Sequence, residues 1–314
     1  MQKTPLKASL KTGFKTRAPW FILAIAIITG ISSGRSQAAT PEAAPATSFR
    51  DLQVQVVGTG KPVLMIPGLN SAASVWTETC AALQPQVQCH IVQLPGFAGA
   101  KPVQKEQWLS TMRDELLAYV DDKKLAQPVV MGHSLGGALA LMLGSEAPTR
   151  FERLVIVDSL AFMGAARDPN ATEASVKPML QAMRQQMLAA SEEQSANQIR
   201  MMAPGMTRST KGAERITEWG LASDRATTAQ SMTELWGTDL RPALKKIQVP
   251  TLLLGSWAAY QPMGATKEST RQIFETQYAN LKGVDIKLSE AGYHFLMWDD
   301  ADWLIKEVKN FIKL

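Results

Sequence analysis

Residues 132–137 constrain the fold of this chain more than any other segment. They read Gly-His-Ser-Leu-Gly-Gly and lie between an apolar, strand-like run at 128–131 and an apolar, helix-like run at 138–143. A G-x-S-x-G pattern in this context predicts a sharp turn from a strand into a helix, because only glycine fits on either side of such a turn. The turn would hold Ser134 in a strained backbone conformation and lift its hydroxyl clear of the sheet. The N–H groups at the start of the following helix would favour a negative charge that develops beside this hydroxyl.

Strand-like and helix-like segments alternate along most of the chain, which predicts a mostly parallel sheet with helices on both faces. Upstream, residues 52–57 and 62–66 flank Gly-Thr-Gly and are predicted to pair as a hairpin that enters the sheet. The later predicted strands cover residues 88–93, 128–132, 153–158, 250–255 and 284–289. The predicted helices cover residues 72–83, 105–123, 135–146, 239–246, 266–281 and 302–312.

This alternation stops between residues 160 and 236, where no convincing strand is found. We expect this segment to form a helical cap over the C-terminal ends of the strands, which leaves residues 49–159 and 237–314 as the core. Methionine is concentrated in the cap, where it either lines an adaptable apolar pocket or packs the cap against itself. Eight of the fifteen methionines belong to this segment: Met163, Met179, Met183, Met187, Met201, Met202, Met206 and Met232.

Residues 1–38 have the composition of a secretory signal peptide. They carry six basic and no acidic residues, an apolar run from about residue 20 to residue 31, and small residues just before position 39. We expect cleavage there, which would make the protein periplasmic or secreted. The alternative is a retained segment that anchors the protein in a membrane. Residues 39–48 are predicted to be a disordered lead-in.

The charge of the remaining chain excludes one class of partner. The whole sequence has 33 basic and 28 acidic residues, and removal of the six basic residues of the signal leaves 27 against 28, a net charge of −1. We therefore expect a small-molecule substrate and no electrostatic attraction to nucleic acid.

The two cysteines, Cys80 and Cys89, both lie in the part of the chain that is predicted to be exported into an oxidising environment. A disulfide between them would pin the helix at 72–83 to the strand at 88–93. Two free buried thiols are the alternative, and we favour the disulfide. Neither cysteine is a candidate nucleophile, since no histidine stands in a supporting position.

A serine nucleophile needs a base, and the chain has three histidines. His133 lies inside the turn and is expected to point away, and His90 begins a predicted strand and is expected to be structural. His294 follows the last predicted strand, in a loop that can bring its imidazole over Ser134, so His294 is the predicted base. Three scattered histidines make no ligand cluster, and we expect neither a metal nor a cofactor.

These motifs resemble the α/β-hydrolase fold superfamily over roughly residues 50–314. The resemblance implies an eight-stranded, mostly parallel sheet and a serine hydrolase. It also implies an oxyanion hole formed by the backbone N–H groups of Leu69 and Leu135. A serine in the turn excludes the haloalkane dehalogenases of this superfamily, which use aspartate there. The matching segments are the predicted hairpin, 66–70 (Ile-Pro-Gly-Leu-Asn), 94–97 (Leu-Pro-Gly-Phe), 132–137, the cap, 249–253 (Val-Pro-Thr-Leu-Leu) and the His294 loop.

The third member of the catalytic triad does not follow the pattern of the superfamily. An acid is expected after the second-to-last strand, but residues 255–260 read Gly-Ser-Trp-Ala-Ala-Tyr. Asp158 ends the neighbouring strand, where some lipases of this fold carry their acid. Asp239 is explained by a helix N-cap, and Asp224 by a helix cap or an ion pair. We favour Asp158, which would orient the histidine and stabilise its imidazolium, over a role for Asp158 in holding the loop alone.

Two functions are compatible with these residues. The first is a serine hydrolase in which Ser134 attacks a carboxylic ester, lactone or amide, with His294 as base and Asp158 as orienting acid. The apolar cap favours a small to medium, largely apolar substrate, and the arginines of the cap are expected to be surface charges. The second is a non-catalytic or weakly active ligand-binding protein on the same fold, motivated by the missing acid.

Overall fold

Eight strands form a single sheet in the computed structural model of the chain, which describes residues 45–314. The strands are β1 (Thr47–Phe49), β2 (Leu52–Gly58), β3 (Lys61–Ile66), β4 (Val87–Gln93), β5 (Val129–His133), β6 (Leu154–Val157), β7 (Thr251–Gly255) and β8 (Val284–Leu288). Their order across the sheet is β1-β2-β4-β3-β5-β6-β7-β8. The neighbouring strands in the part of the sheet that runs β4-β3-β5-β6-β7-β8 are all parallel. Strand β2 is antiparallel to both of its neighbours, β1 and β4. The predicted eight-stranded, mostly parallel sheet is confirmed.

The predicted hairpin between residues 52–57 and 62–66 is wrong. Strand β2 pairs with β1 and β4, and β3 lies on the far side of β4, between β4 and β5. Gly58 and Gly60 adopt φ values of 78° and 111°, which only glycine adopts readily, and they carry the chain past the end of β4. The reason is burial: β3 is apolar on both faces, and a central position in the sheet covers both.

Ten α-helices accompany the sheet in the described part of the chain. They are α1 (Thr77–Leu83), α2 (Trp108–Asp122), α3 (Leu135–Glu146), α4 (Glu173–Ala189), α5 (Glu192–Met202), α6 (Thr210–Ala222), α7 (Arg225–Gly237), α8 (Lys267–Gln277), α9 (Leu296–Asp299) and α10 (Ala301–Ile312). Buried residues of α2, α3 and α8 share one apolar cluster, and those of α1 and α10 share a second. Along β3, Leu64 and Ile66 belong to the first cluster, and Val63 and Met65 to the second. Helices therefore cover both faces of the sheet, which explains why the central strands are continuously apolar.

The segment 160–236 contains helices and no strand, as expected. Its methionines do not share one environment. Met179 and Met201 are 51% and 82% exposed, whereas Met183 packs on a small apolar cluster inside the segment and Met206 packs against the cluster of α1 and α10. For these four residues, packing and surface positions are favoured over a shared pocket.

Residues 1–44 lie outside the described part of the chain, and with them the predicted signal peptide (1–38) and part of the predicted lead-in (39–48). Within the lead-in, Thr47 and Ser48 belong to β1, so the prediction of disorder is wrong for these two residues. Their backbone groups extend the ladder of β2, which orders them. Among the described helices, none is long and apolar enough to cross a membrane.

Cys80 of α1 and Cys89 of β4 lie with their sulfur atoms at bonding distance. Their Cα atoms are 6.2 Å apart, within the range that a disulfide spans. Both residues are buried in the cluster of α1 and α10. The geometry therefore suits the predicted link between the first helix and the strand that follows it.

His90 lies in the middle of β4 and is 3% exposed. Its Nδ1 atom is 2.8 Å from the hydroxyl oxygen of Tyr119 on α2, and its Nε2 atom is 3.0 Å from Oε1 of Gln88. Burial lowers the pKa of His90 to about 4, because the imidazolium loses its hydration inside the protein. This histidine is structural, as expected, since it lies among the side chains between the sheet and α2.

The depressed pKa of His90 makes stability depend on pH. As the pH falls from about 6.5 to about 4, the unfolded chain binds a proton at His90 that the folded chain does not bind, so the folded state loses stability. We expect the wild type to lose up to about 3 kcal/mol more than His90→Gln across this window, at 1.36 kcal/mol per pKa unit. Urea denaturation at a series of pH values measures the difference. Parallel profiles for the two proteins would contradict the assignment.

Candidate functional site

The turn at Ser134 joins β5 directly to α3. Ser134 has φ 54° and ψ −118°, a conformation that an L-residue rarely adopts. A Cβ on Gly132 would lie 2.0 Å from the carbonyl oxygen of Gly136, and a Cβ on Gly136 would lie 2.3 Å from that of Ile66. Both glycines are therefore required by close backbone approach. The backbone N–H of Ser134 donates to Val157 of β6 at 2.9 Å, which fixes the turn against the sheet.

His294 lies in the loop between β8 and α9, and its Nδ1 atom is 2.7 Å from Oδ2 of Asp158. The side chain of Asp158 is 6% exposed and that of His294 is 19% exposed, so the pair is largely shielded from water. A carboxylate accepts, so Nδ1 carries a proton, and in the neutral imidazole the lone pair then lies on Nε2. The ring of His294 is 4.6 Å from the ring of His133, the neighbour of Ser134. The structure thus brings the predicted acid, base and nucleophile to one edge of the sheet.

Asp158 is held by the residue that follows the next strand. The backbone N–H of Ser256 donates to Oδ1 of Asp158 at 2.7 Å, and its hydroxyl donates to Oδ2 at 2.8 Å. Ser256 is the first residue after β7, in the segment where the superfamily usually carries its acid and where this chain has none. Because β6 and β7 are adjacent, an acid at the end of β6 reaches the same histidine. Asp158 has φ 48°, a left-handed conformation that aspartate tolerates better than most residues.

The other two candidate acids are engaged elsewhere. The prediction that Asp239 caps a helix at 239–246 is wrong: only a 3₁₀ turn, Leu244–Lys246, forms there. Asp239 instead pairs with Arg241, with 2.7 Å between Oδ2 and Nη2. Asp224 is the N-cap of α7 and accepts from the backbone N–H of Thr227 at 2.7 Å. Of the two roles expected for Asp224, a helix cap or an ion pair, the structure shows the helix cap.

The predicted oxyanion hole lies where the loop after β3 meets the start of α3. A Cβ on Gly68 would lie 3.2 Å from Cβ of Ser134, so this loop passes directly beside the serine. Leu69 is the next residue of the loop. Leu135 is the first residue of α3, where a backbone N–H has no partner within its own helix. The arrangement can offer two backbone donors to an oxygen bound between them.

A model of the alpha/beta hydrolase family matches residues 63–307 of the chain. The chain belongs to the alpha/beta hydrolase family. It is similar to pimeloyl-[acyl-carrier protein] methyl ester esterases. The protein from Vibrio campbellii is 26% identical over 231 residues, 72% of this chain and 88% of the relative. The protein from Legionella pneumophila strain Corby is 26% identical over 265 residues, 84% of this chain and 100% of the relative.

Solved structures share the fold of this alpha/beta hydrolase. A hydrolase from Pseudomonas aeruginosa PA01 superposes with a TM-score of 0.70 at 18% identity, covering 86% of this chain and 98% of the other. The enol-lactonase from Burkholderia xenovorans LB400 gives a TM-score of 0.68 at 17% identity, covering 86% of this chain and 100% of the other. At these identities the likeness is one of fold.

The site of this alpha/beta hydrolase contains supporting residues that the sequence analysis missed. The His133 Nε2–H donates to the carbonyl oxygen of His294 at 2.9 Å. Burial, and then the neighbouring His294, hold the pKa of His133 well below its ordinary value, so His133 stays neutral. Asp299 accepts from the backbone N–H of Tyr293 at 3.0 Å, one residue before His294. The sequence offered one signal for these two residues: His133 adjoins Ser134, and Asp299 lies five residues after His294.

Metal ligation has no support in the described residues. Between residues 45 and 314 no three side chains of His, Cys, Asp or Glu come together in a group that would hold a metal ion. The expectation that the site works without a metal or cofactor stays a prediction.

A methyl group at Gly132 tests the packing of the turn. Gly132→Ala would place a carbon where the Gly136 carbonyl lies, and we expect it to lower the free energy of unfolding by at least about 2 kcal/mol. Gly205→Ala is the matched control, because a Cβ there meets nothing within 4 Å, and we expect a change of no more than about 0.5 kcal/mol. Urea denaturation measures both. Equal stabilities for the two variants would contradict the close approach.

Proposed function

We propose that this alpha/beta hydrolase is an exported serine hydrolase that cleaves a carboxylic ester, with a lactone or amide as related substrates. The observation that carries the proposal is the 2.7 Å contact between His294 Nδ1 and Asp158 Oδ2, at the edge where the strained turn presents Ser134. A histidine fixed in this tautomer directs its basic Nε2 away from the carboxylate and is suited to take a serine proton.

In the proposed reaction, the Ser134 hydroxyl oxygen attacks the carbonyl carbon of the ester and His294 Nε2 takes the hydroxyl proton. The negative charge on the carbonyl oxygen is stabilised by the backbone N–H groups of Leu69 and Leu135. Collapse of this intermediate breaks the ester bond, and the alcohol leaves with the proton from His294. Water then attacks the acyl-serine with His294 as base, which releases the carboxylic acid and restores the serine. Asp158 stabilises the imidazolium in both steps and does not itself take the proton.

The relatives support esters as the substrate class. The curated relatives described above are esterases of a methyl ester, and the enol-lactonase shares the fold. For this chain we propose a small to medium, largely apolar substrate, because apolar side chains such as Met206, Phe295 and Trp298 pack together near the histidine.

A non-catalytic ligand-binding protein is the weaker alternative. It was motivated by the lack of an acid after β7, and the contact of Asp158 with His294 removes that motivation. Ser256 also holds Asp158 through two hydrogen bonds, an arrangement that a binding protein would not need.

Hydrolysis of a p-nitrophenyl ester series, from acetate to decanoate, by residues 39–314 tests the proposal. We expect Ser134→Ala and His294→Ala to lower kcat by at least about a thousandfold, because the two act as a unit. Asp158→Asn is expected to lower kcat at least about a hundredfold, because the histidine loses its orienting charge. Asp239→Asn is the matched control, since Asp239 pairs with Arg241, and should retain activity. Equal effects of the two Asp→Asn changes would contradict the assignment of Asp158.

Export and the disulfide belong to the same proposal. We expect the full chain, expressed in a Gram-negative bacterium, to appear in the periplasmic extract with Ala39 as its first residue. Under denaturing conditions without reductant, Cys80 and Cys89 should resist alkylation, and both should be alkylated after reduction. Mass spectrometry of the intact protein measures all three points. Two alkylated cysteines before reduction would refute the disulfide, and an uncleaved chain in the membrane fraction would refute the cleavage.

A further inference from the structure

The helical segment 160–236 contacts the loop that carries Leu69. The hydroxyl of Thr228, on α7, donates to Oδ1 of Asn70 at 2.7 Å, and Asn70 directly follows Leu69. Asn70 has φ 56°, a left-handed conformation that asparagine tolerates better than most residues. Thr228 is 8% exposed, and its contact with Asn70 is shielded from competing water.

The side-chain amide of Gln93 also contacts the loop that carries Leu69 and Asn70, from the end of strand β4. Oε1 of Gln93, the last residue of β4, accepts from the backbone N–H of Ala73 at 2.8 Å. Its Nε2 atom donates to the carbonyl oxygens of Leu94 and Phe97, both at 3.1 Å. Gln93 therefore fixes the downstream end of the loop, and Thr228 fixes the end next to Leu69.

Thr228 is itself anchored to the core at the start of α7. The backbone N–H of Asp224 donates to the carbonyl oxygen of Gly96 at 2.7 Å, and the backbone N–H of Ala98 donates to the hydroxyl of Ser223 at 2.9 Å. A Cβ on Gly96 would lie 2.6 Å from the Thr227 side chain, so the two segments are in direct contact. These contacts join the start of α7, which carries Thr228, to the loop that follows β4.

We propose that Thr228 is a positioning residue: through Asn70 it fixes the Leu69 peptide, and it thereby couples the helical segment to the oxyanion hole. This inference rests on the proposed hydrolase function. The Leu69 N–H belongs to the Gly68–Leu69 peptide and stabilises charge only if it points at the oxygen. A shift of this loop that rotates the Gly68–Leu69 peptide would turn the N–H away. Because the oxygen is negative in the transition state and neutral in the substrate, a misplaced donor lowers kcat and leaves KM nearly unchanged.

Thr228→Val removes the hydroxyl and keeps the shape of the side chain. We expect kcat on the best p-nitrophenyl ester to fall about 10- to 100-fold, less than or equal to the loss of a whole oxyanion donor, with KM within about twofold. Thr228→Ser, which keeps the hydroxyl, should retain most of the activity. The inhibition constant of an alkylboronic acid, whose tetrahedral adduct places an oxygen in the hole, should rise by the factor by which kcat/KM falls.

Thr233→Val is the matched control. The Thr233 hydroxyl bonds to the backbone of α7 at Ala229, 2.9 Å away, just as Thr228 approaches the carbonyl oxygen of Asp224 at 2.8 Å. Thr233→Val therefore reports the loss of a threonine hydroxyl on the same helix, and only Thr228→Val removes the contact with Asn70. Thermal unfolding of both checks that they are folded. Asn70→Ala provides a second route: it should lower kcat similarly, and Thr228→Val should add little in its presence.

The outcomes are distinct. Kinetics of Thr228→Val equal to those of Thr233→Val would overturn the inference, and so would a rise in KM with unchanged kcat. Equal losses in Thr228→Val and Thr228→Ser would also overturn it, because the hydroxyl would then have no role. If the wild type turns over no ester and binds no boronic acid, the proposed function fails and this inference fails with it. Turnover by the wild type with no effect of Thr228 or Asn70 refutes the inference alone.

Discussion

The close approach of backbone at Gly132 and Gly136 is the constraint on which the site depends. The Gly136 carbonyl occupies the space of a Gly132 side chain, and the Ile66 carbonyl occupies that of Gly136, so β3, β5 and α3 meet without any side chain between them. This contact places the loop after β3 beside Ser134 and aims the start of α3 at the same point. The proposed nucleophile and both proposed oxyanion donors are thus positioned by one packing contact.

The proposed acid, Asp158, and the proposed base, His294, are positioned by the order of the strands. Because β6 lies next to β7, a carboxylate at the end of β6 and a serine at the end of β7 meet, and Ser256 satisfies Asp158 with a backbone and a hydroxyl donor. A buried carboxylate needs such donors, since removal of its hydration is costly without them. His294 completes the set at 2.7 Å, and His133 and Asp299 hold the loop on which it lies. The acidic side chain is therefore carried by the end of β6, next to β7, and it contacts His294 from there.

Local patterns in the sequence predicted most of the fold. The turn at Ser134, the continuously apolar strands and the strand-free segment 160–236 each have a signal within a few residues. The pairing of β2 with β4 had no such signal, because Gly58 and Gly60 are compatible with a hairpin as well as with a step across a strand. The contacts of Ser256 with Asp158 and of Thr228 with Asn70 join residues 98 and 158 positions apart, and they depend on the sheet order and on the placement of α7. Such contacts follow from the tertiary structure, which local patterns do not specify.

Covalent labelling by a fluorophosphonate, followed by mass spectrometry, tests most directly whether Ser134 is an activated nucleophile. The reagent reacts with a serine only when a base removes its proton, and its phosphoryl oxygen needs the same donors as an ester carbonyl. We expect one adduct per wild-type molecule, located on the peptide that contains Ser134, and labelling of His294→Ala that is slower by orders of magnitude. Absence of an adduct, an adduct on another residue, or equal labelling of the two proteins would contradict the account.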